Sequence, residues 1–176
     1  CGTSGAHLMC CDEDLQGFNG LLRNTPPYRS KDDQIALANG VMDGTIDVVV
    51  SDHRPENLET HDVEFMLSPD GMASLPSAFA MAWTGLTNAV DGQDEVLSAL
   101  LHALTIRPAK QFGIHLPTLQ VGEPVCMTWF HPNAPHQPGE GTRGANLFGD
   151  SAKLRRTVLG VFHGTRSSVA QGQASP

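Results

Sequence analysis

The sequence predicts an α/β fold with a parallel sheet, and a helix followed by a strand carries that prediction. Residues 46–50, Ile-Asp-Val-Val-Val, are mostly β-branched, which is typical of a strand buried on both faces of a parallel sheet. Ahead of this run, Ser30 and Asp33 match a capping box, and apolar residues then recur at helical spacing up to Gly44. We therefore predict a helix over about 31–43, a tight glycine turn and a buried strand.

Composition bounds the class of protein before any motif is considered. The 176 residues are 40% apolar, which is enough for one sizeable core, and the formal net charge of -8 leaves no basic stripe for nucleic acid. No apolar run approaches the roughly 20 residues that a membrane-spanning helix needs. A globular protein without nucleic acid or membrane as a partner is the expectation.

The four cysteines lack the spacing of a zinc site. Cys1, Cys10, Cys11 and Cys126 form no C-x-x-C pair. Buried free thiols in a reducing cytoplasm are the preferred interpretation, ahead of zinc ligands or disulfides. Because the chain begins with Cys1 and no signal peptide is visible, an N-terminal truncation is also expected.

The remaining segments are assigned from periodicity and turn residues. We expect a strand over residues 6–11, a rigid Pro-Pro loop over 23–29, a buried helix over 75–86 and an amphipathic helix over 94–104. From residue 119 the pattern changes to short strands, and the small polar residues 167–176 predict a disordered tail.

Asp52 and His53 follow the predicted strand directly, with Pro55 turning the chain away. The carboxyl ends of parallel strands are where α/β barrels place catalytic groups. On position alone, Asp52 suits either that role or a turn or helix-cap aspartate, and His53 suits either ligand contact or a structural hydrogen bond.

Segments in consistent order resemble one enzyme family. They are His7-Leu-Met with Asp12-Glu-Asp-Leu, Pro26-Pro-Tyr-Arg-Ser-Lys-Asp-Asp33, Asp43-Gly-Thr-Ile-Asp-Val-Val-Val-Ser-Asp-His-Arg-Pro55, Leu104-Thr-Ile-Arg-Pro-Ala-Lys-Gln-Phe-Gly113 and Val121-Gly-Glu-Pro-Val-Cys-Met-Thr-Trp-Phe-His-Pro132. The chain thereby resembles the dihydroorotases, cyclic amidohydrolases of the amidohydrolase superfamily. The resemblance implies the C-terminal portion of a (β/α)8 TIM-like barrel with a small appended β-domain. Residues 1–116 would supply about strands 7 and 8 with their helices, residues 117–166 part of the β-domain, and residues 167–176 the tail.

The resemblance also implies roles for individual residues. Asp52 matches the last-strand aspartate that ligates zinc and moves a proton during ring opening of dihydroorotate to carbamoyl aspartate, a step of pyrimidine biosynthesis. Substrate-binding positions of the family fall on Thr25, Glu56, Asp70 and Gly71. Glu56 departs from the family's typical Asp-His-Ala-Pro-His turn, and a carboxylate there would repel an anionic substrate. Thr25 stands where the family has an asparagine.

Three functions remain open from the sequence. The first is a zinc dihydroorotase whose other metal ligands, a His-x-His pair, a carboxylated lysine and two histidines, would all precede Cys1, so that this chain is a fragment without activity of its own. The second is a non-catalytic dihydroorotase-like subunit that supports aspartate carbamoyltransferase, which Glu56, Thr25 and Asp70 favour. The third is a hydantoinase- or allantoinase-like hydrolase. A cytoplasmic homo-oligomer or an aspartate carbamoyltransferase assembly is the implied setting.

Overall fold

The structure is a computed structural model that describes residues 1–135 and 154–169, apart from the side chains at 132, 133, 155 and 156. In chain order its regular elements are β1 Gly2–Ser4, α1 Gly5–Met9, α2 Lys31–Asp43, β2 Val48–Val50, α3 Ala78–Ala89, α4 Gln93–Leu101, α5 Arg107–Phe112, β3 Cys126–Pro135, β4 Arg155–His163 and β5 Arg166–Val169. None of the helices in this part of the chain has the length and apolar character needed to cross a membrane.

Strands β1 and β2 are parallel neighbours, which confirms the predicted parallel pairing. Gly2 pairs with Val48 and Ser4 with Val50. The expectation that the strand is buried on both faces was wrong, because Val49 is 6% exposed but Val50 is 48% exposed. Successive side chains of a strand point to opposite faces. Val49 therefore points into the helical core, whereas the face that carries Val50 remains open in the described structure.

Helix α2 has the predicted bounds because its first turn is capped as the sequence indicates. The Ser30 side chain accepts a hydrogen bond from the Asp33 backbone N–H, and the Asp33 carboxylate accepts one from the Ser30 N–H. The helix ends at Gly44, whose φ of 85° lies in the left-handed region that glycine adopts without steric penalty. The tight turn that follows leads into β2.

The predicted strand over residues 6–11 was wrong. Gly5–Met9 forms α1 instead, and the strand β1 lies N-terminal to this helix. Ser4 caps the helix, and its hydroxyl accepts a hydrogen bond from the His7 N–H over 3.3 Å. A short apolar run fits a buried helix as well as a strand, so periodicity alone could not separate them. The cysteines also differ in part from expectation: all four are free, Cys10 and Cys11 are buried, and Cys1 and Cys126 are exposed.

Helices α3 and α4 build the main core with α1, α2 and β2. Trp83, which belongs to the predicted buried helix, lies in this core together with Leu86 of α3 and Leu100 of α4. The predicted amphipathic helix continues past α4 through a π-helical turn, His102–Ile106, into α5. Arg107 at the start of α5 donates from Nη1 to the backbone oxygens of Val41 and Ile46, over 3.3 and 3.1 Å. These bonds tie the last helix to both ends of the turn before β2.

The C-terminal part is β-structure, as the sequence predicted. Strands β3, β4 and β5 form an antiparallel sheet in that order. Strand β5 covers Arg166–Val169, so the chain is ordered three residues beyond the predicted start of the disordered tail. Backbone pairing with β4 around a turn at Gly164 orders this polar strand without apolar burial. The rest of the tail, 170–176, and residues 136–153 lie outside the described residues, and the domain boundary at 116/117 stays a prediction.

Candidate active site

The turn that follows β2 is clamped against residues 72–75. The Arg54 backbone N–H donates to the Met72 oxygen over 3.0 Å, and the Ser74 hydroxyl donates to the Ser51 oxygen over 2.6 Å. Asp52 at the centre of the turn has a φ of 48°, a left-handed conformation that aspartate adopts more readily than most residues. The clamp therefore fixes the direction in which the Asp52 carboxylate leaves the end of the strand.

His53 is a structural residue of this turn. Its Nδ1 accepts a hydrogen bond from the Leu75 backbone N–H over 3.1 Å. Because Nδ1 is an acceptor here, the neutral imidazole carries its proton on Nε2. Of the two roles that the sequence left open, the geometry therefore supports the structural hydrogen bond.

Arg54 is the residue of this site that the sequence analysis did not single out. Its Nε lies 3.1 Å from Asp52 Oδ1, and its Nη2 donates to the Thr25 oxygen over 3.4 Å. Side chains of Asp52 and Arg54 are 22% and 42% exposed, so the pair lies at the edge of solvent. The signal was present in the sequence, because Arg54 stands where the typical family turn has alanine.

Thr25, whose backbone oxygen accepts from Arg54, contacts Asp70 through its side chain. The Thr25 hydroxyl donates to Asp70 Oδ2 over 2.8 Å, and Arg23 Nη1 lies 2.6 Å from Asp70 Oδ1. Arg23 also donates to the Ser68 oxygen over 2.5 Å. The Asp70 carboxylate is thus neutralised by an arginine that is itself held in place.

Gly71 follows Asp70 in a conformation that requires glycine. Its φ is 87°, and its N–H donates to the Arg23 oxygen over 2.8 Å. A Cβ placed on Gly71 would lie only 2.9 Å from Arg54 Cδ. The residue therefore provides a flat backbone surface on which the Arg54 side chain lies.

Two positions near the predicted site take no part in this cluster. Glu56 is exposed, and its carboxylate forms no hydrogen bond or ion pair with another described side chain. Asn24, beside the predicted substrate position Thr25, is buried and its Oδ1 accepts from the Thr25 N–H over 2.9 Å. The structure thus brings Asp52, Thr25, Asp70 and Gly71 around Arg54 and leaves Glu56 apart.

The described residues do not form a metal site by themselves. Within residues 1–135 and 154–169 there is no group of three or more His, Cys, Asp or Glu side chains that could hold a metal ion. Asp52 presents a carboxylate of the right chemistry for one ligand, and Arg54 engages one of its oxygens. Cys10 is unsuitable as a ligand or nucleophile at neutral pH, because burial raises the pKa of its thiol to about 12.

Comparisons with known proteins identify relatives of this chain. No family model matches the chain. The chain is 37% identical to the dihydroorotase of Bacillus subtilis over 126 residues, which is 72% of this chain and 29% of that protein. It is 34% identical to the dihydroorotase of Enterococcus faecalis over 73% of this chain and 29% of that protein. The chain therefore spans less than a third of the length of the curated relatives it matches.

Solved structures give the same class of fold at lower identity. The L-hydantoinase (dihydropyrimidinase) of Arthrobacter aurescens superimposes with a TM-score of 0.77 at 19% identity, covering 100% of this chain and 40% of that one. A D-hydantoinase superimposes with a TM-score of 0.71 over 96% of this chain and 38% of that one. The sequence relatives place the chain among the cyclic amidohydrolases, and the superpositions show the fold that it shares with the hydantoinases. Within that class, its sequence is homologous to a segment of the dihydroorotases.

Proposed function

We propose that this chain is the C-terminal segment of a dihydroorotase that opens the ring of dihydroorotate to carbamoyl aspartate, or closes it, in pyrimidine biosynthesis. The observation that carries the proposal is the position of Asp52, at the carboxyl end of a parallel strand in a chain homologous to dihydroorotases. Its setting is the cytoplasm, with a homo-oligomer or an aspartate carbamoyltransferase assembly as partner.

The proposed architecture is a (β/α)8 barrel in which β1 and β2 are neighbouring strands, about the seventh and eighth. The open face of β2 would line the barrel interior, and residues 117–166 would belong to the small β-domain. A complete barrel of this type needs about 250 residues. Activity would therefore require the rest of the barrel in the same polypeptide or assembly, and the isolated chain would be inactive.

Asp52 would act on a proton in this reaction. A carboxylate held by a clamped turn can accept a proton from the attacking water and deliver it to the departing amide nitrogen. Zinc, with Asp52 as one of its ligands, would supply a water of lowered pKa and polarise the substrate carbonyl. The remaining zinc ligands would come from parts of the barrel outside this chain.

Thr25, Asp70 and Gly71 would bound the substrate pocket from the loops beside Asp52. The Thr25 hydroxyl donates its hydrogen to Asp70, so its oxygen can accept a hydrogen bond from the N–H of a cyclic amide, and Arg23 offsets the negative charge of Asp70. Glu56 would lie at the rim, where its exposed carboxylate affects an anionic substrate less than one inside the pocket would.

Turnover of dihydroorotate by the full-length protein tests this proposal. The coding sequence upstream of Cys1 should contain a His-x-His pair, a barrel lysine and two further histidines after strands. With zinc, the expressed protein should hydrolyse dihydroorotate faster than the uncharged rings hydantoin and dihydrouracil. Absence of the His-x-His pair and the lysine, together with no turnover, would contradict it.

A specific observation favours a second candidate, a non-catalytic dihydroorotase-like subunit that supports aspartate carbamoyltransferase. The Asp52–Arg54 pair and the Thr25–Asp70–Arg23 cluster satisfy many of their polar groups internally. Under this candidate, the protein would co-purify with the transferase and raise its activity while converting no dihydroorotate. A hydantoinase- or allantoinase-like hydrolase, favoured by the structural superpositions, would instead prefer an uncharged ring in the substrate comparison above.

A further inference from the structure

Arg54 is anchored at several points and still open to solvent. Its Nε lies 3.1 Å from Asp52 Oδ1, and its Nη2 donates to the Thr25 oxygen over 3.4 Å. The side chain remains 42% exposed, and its Nη1 forms no hydrogen bond with another described residue. A guanidinium in this state has donors left for a ligand.

The backbone holds this side chain in one place. The Arg54 N–H donates to the Met72 oxygen over 3.0 Å, and the neighbouring His53 forms a bridge with Met72. Gly71 lies under the aliphatic part of Arg54, where a Cβ would come within 2.9–3.2 Å of its Cδ, Cβ and Cγ atoms. The positive φ of Gly71 and its missing side chain thus serve the position of Arg54. Less conformational entropy is lost when a side chain held in this way binds a ligand.

The charges around the site require a cation for an anionic substrate. Asp52 and Asp70 carry carboxylates in this cluster, and Glu56 adds a third two residues after Arg54 in the chain. Arg23 is engaged by Asp70 over 2.6 Å and by the Ser68 oxygen over 2.5 Å, and it is only 30% exposed. Arg54 is more exposed than Arg23, and its ion pair with Asp52, at 3.1 Å, is longer than the 2.6 Å contact between Arg23 and Asp70. It is therefore the arginine of this cluster that can offer a charge-assisted pair of hydrogen bonds to a carboxylate.

We propose that Arg54 binds the carboxylate of the substrate and selects anionic cyclic amides over uncharged ones. The proposal rests on the proposed function for the identity of the ring. A planar guanidinium donates two parallel hydrogen bonds to a carboxylate, which gives direction as well as charge. Arg54 would then attract the anionic substrate. Glu56, at the substrate-binding position that the family resemblance implies, cannot do so because it carries a carboxylate.

Steady-state kinetics of the full-length Arg54→Ala and Arg54→Lys variants test the proposal. Arg54→Ala should raise KM for dihydroorotate at least about tenfold and change kcat less than about threefold, as expected for loss of a charged hydrogen-bond pair. Its KM for uncharged dihydrouracil should stay the same. Arg54→Lys should fall between the two, because it keeps the charge and loses the fork. Arg166→Ala, which removes an arginine from β5, is the matched control and should leave both constants unchanged.

The outcomes separate this proposal from the proposed function. A fall in kcat with unchanged KM would overturn it, because Arg54 would then act only through Asp52. If the wild type converts no dihydroorotate, calorimetric binding of orotate, an unsaturated analogue with the same carboxylate, decides instead. Binding that is lost in Arg54→Ala and kept in Arg166→Ala would sustain the proposal although the proposed function had failed. Equal binding by both variants, or no binding by the wild type, would overturn it.

Discussion

The residues that we propose for function lie around the end of β2. Asp52 was selected from the sequence because the motif around it resembles the last strand and turn of the dihydroorotases, whereas its position after a strand also suits a turn or helix-cap aspartate. The contact between Thr25 and Asp70, 45 residues apart, could not be predicted, since it depends on how two loops fold over the strand end. Arg54 was also missed, although it departs from the typical turn, because its importance lies in contacts with residues that are distant in sequence.

Reactivity of the cysteines gives a prediction at the same scale. Burial, assisted by the charges of Asp14 and Cys11, raises the pKa of Cys10 from 9.0 to about 12. Near pH 8 an alkylating reagent should therefore modify exposed Cys126 readily and Cys10 on the order of a thousandfold more slowly, because the thiolate is the nucleophile. Mass spectrometry of peptides from the native protein checks this result.

Labelling in denaturant is the control, since every cysteine should then react. The raised pKa of Cys10 also determines whether the folded protein gains or loses stability as the pH rises. The folded state keeps the thiol proton more tightly, so this contribution to stability is complete below about pH 9 and is lost as the pH rises toward 12. Equal native labelling of Cys10 and Cys126 would contradict the burial of Cys10.

At the scale of elements, local signals predicted some structures and tertiary contacts decided others. Helix α2 was predictable because its capping box, apolar spacing and terminal Gly44 all act within a few residues. Helix α1 was not, because its short apolar sequence is compatible with either structure and its place is set by packing on α3. Strand β5 was missed for a related reason, since backbone pairing with β4 orders a segment whose side chains are polar and exposed.

The contact between α1 and α3 predicts the effect of a small substitution. A Cβ on Gly85 of α3 would lie 2.4 Å from the Leu8 backbone oxygen, a contact that neither helix can relieve by rotating a side chain. Alanine favours an exposed helix over glycine by about 1 kcal/mol. In Gly85→Ala we expect the opposite sign, a loss of roughly 1–3 kcal/mol in the free energy of unfolding.

Gly17→Ala is the matched control for that change, because nothing lies within 4 Å of a Cβ at Gly17. Denaturant unfolding of both full-length variants provides the comparison. A Gly85→Ala protein as stable as the wild type would show that the two helices pack less closely than the structure indicates.

At the scale of the whole molecule, the described structure is a core with one open side. Helices α1 to α4 cover one face of the β1–β2 pair, and the face carrying Val50 stays exposed. The sequence predicted the helix–strand unit and the change to antiparallel strands, because both depend on local patterns. The exposure of one strand face depends instead on which strands lie opposite, and this chain covers under a third of its dihydroorotase relatives.

The central claim is that Asp52 is the catalytic carboxylate of a dihydroorotase, and its most direct test is turnover of dihydroorotate by the full-length Asp52→Ala variant. We predict a fall in kcat of at least about a thousandfold, as expected when a group that moves the proton is removed. Asp62→Ala, which removes an exposed aspartate from a nearby loop, should keep wild-type turnover. Turnover by Asp52→Ala within a few fold of the wild type would contradict the claim.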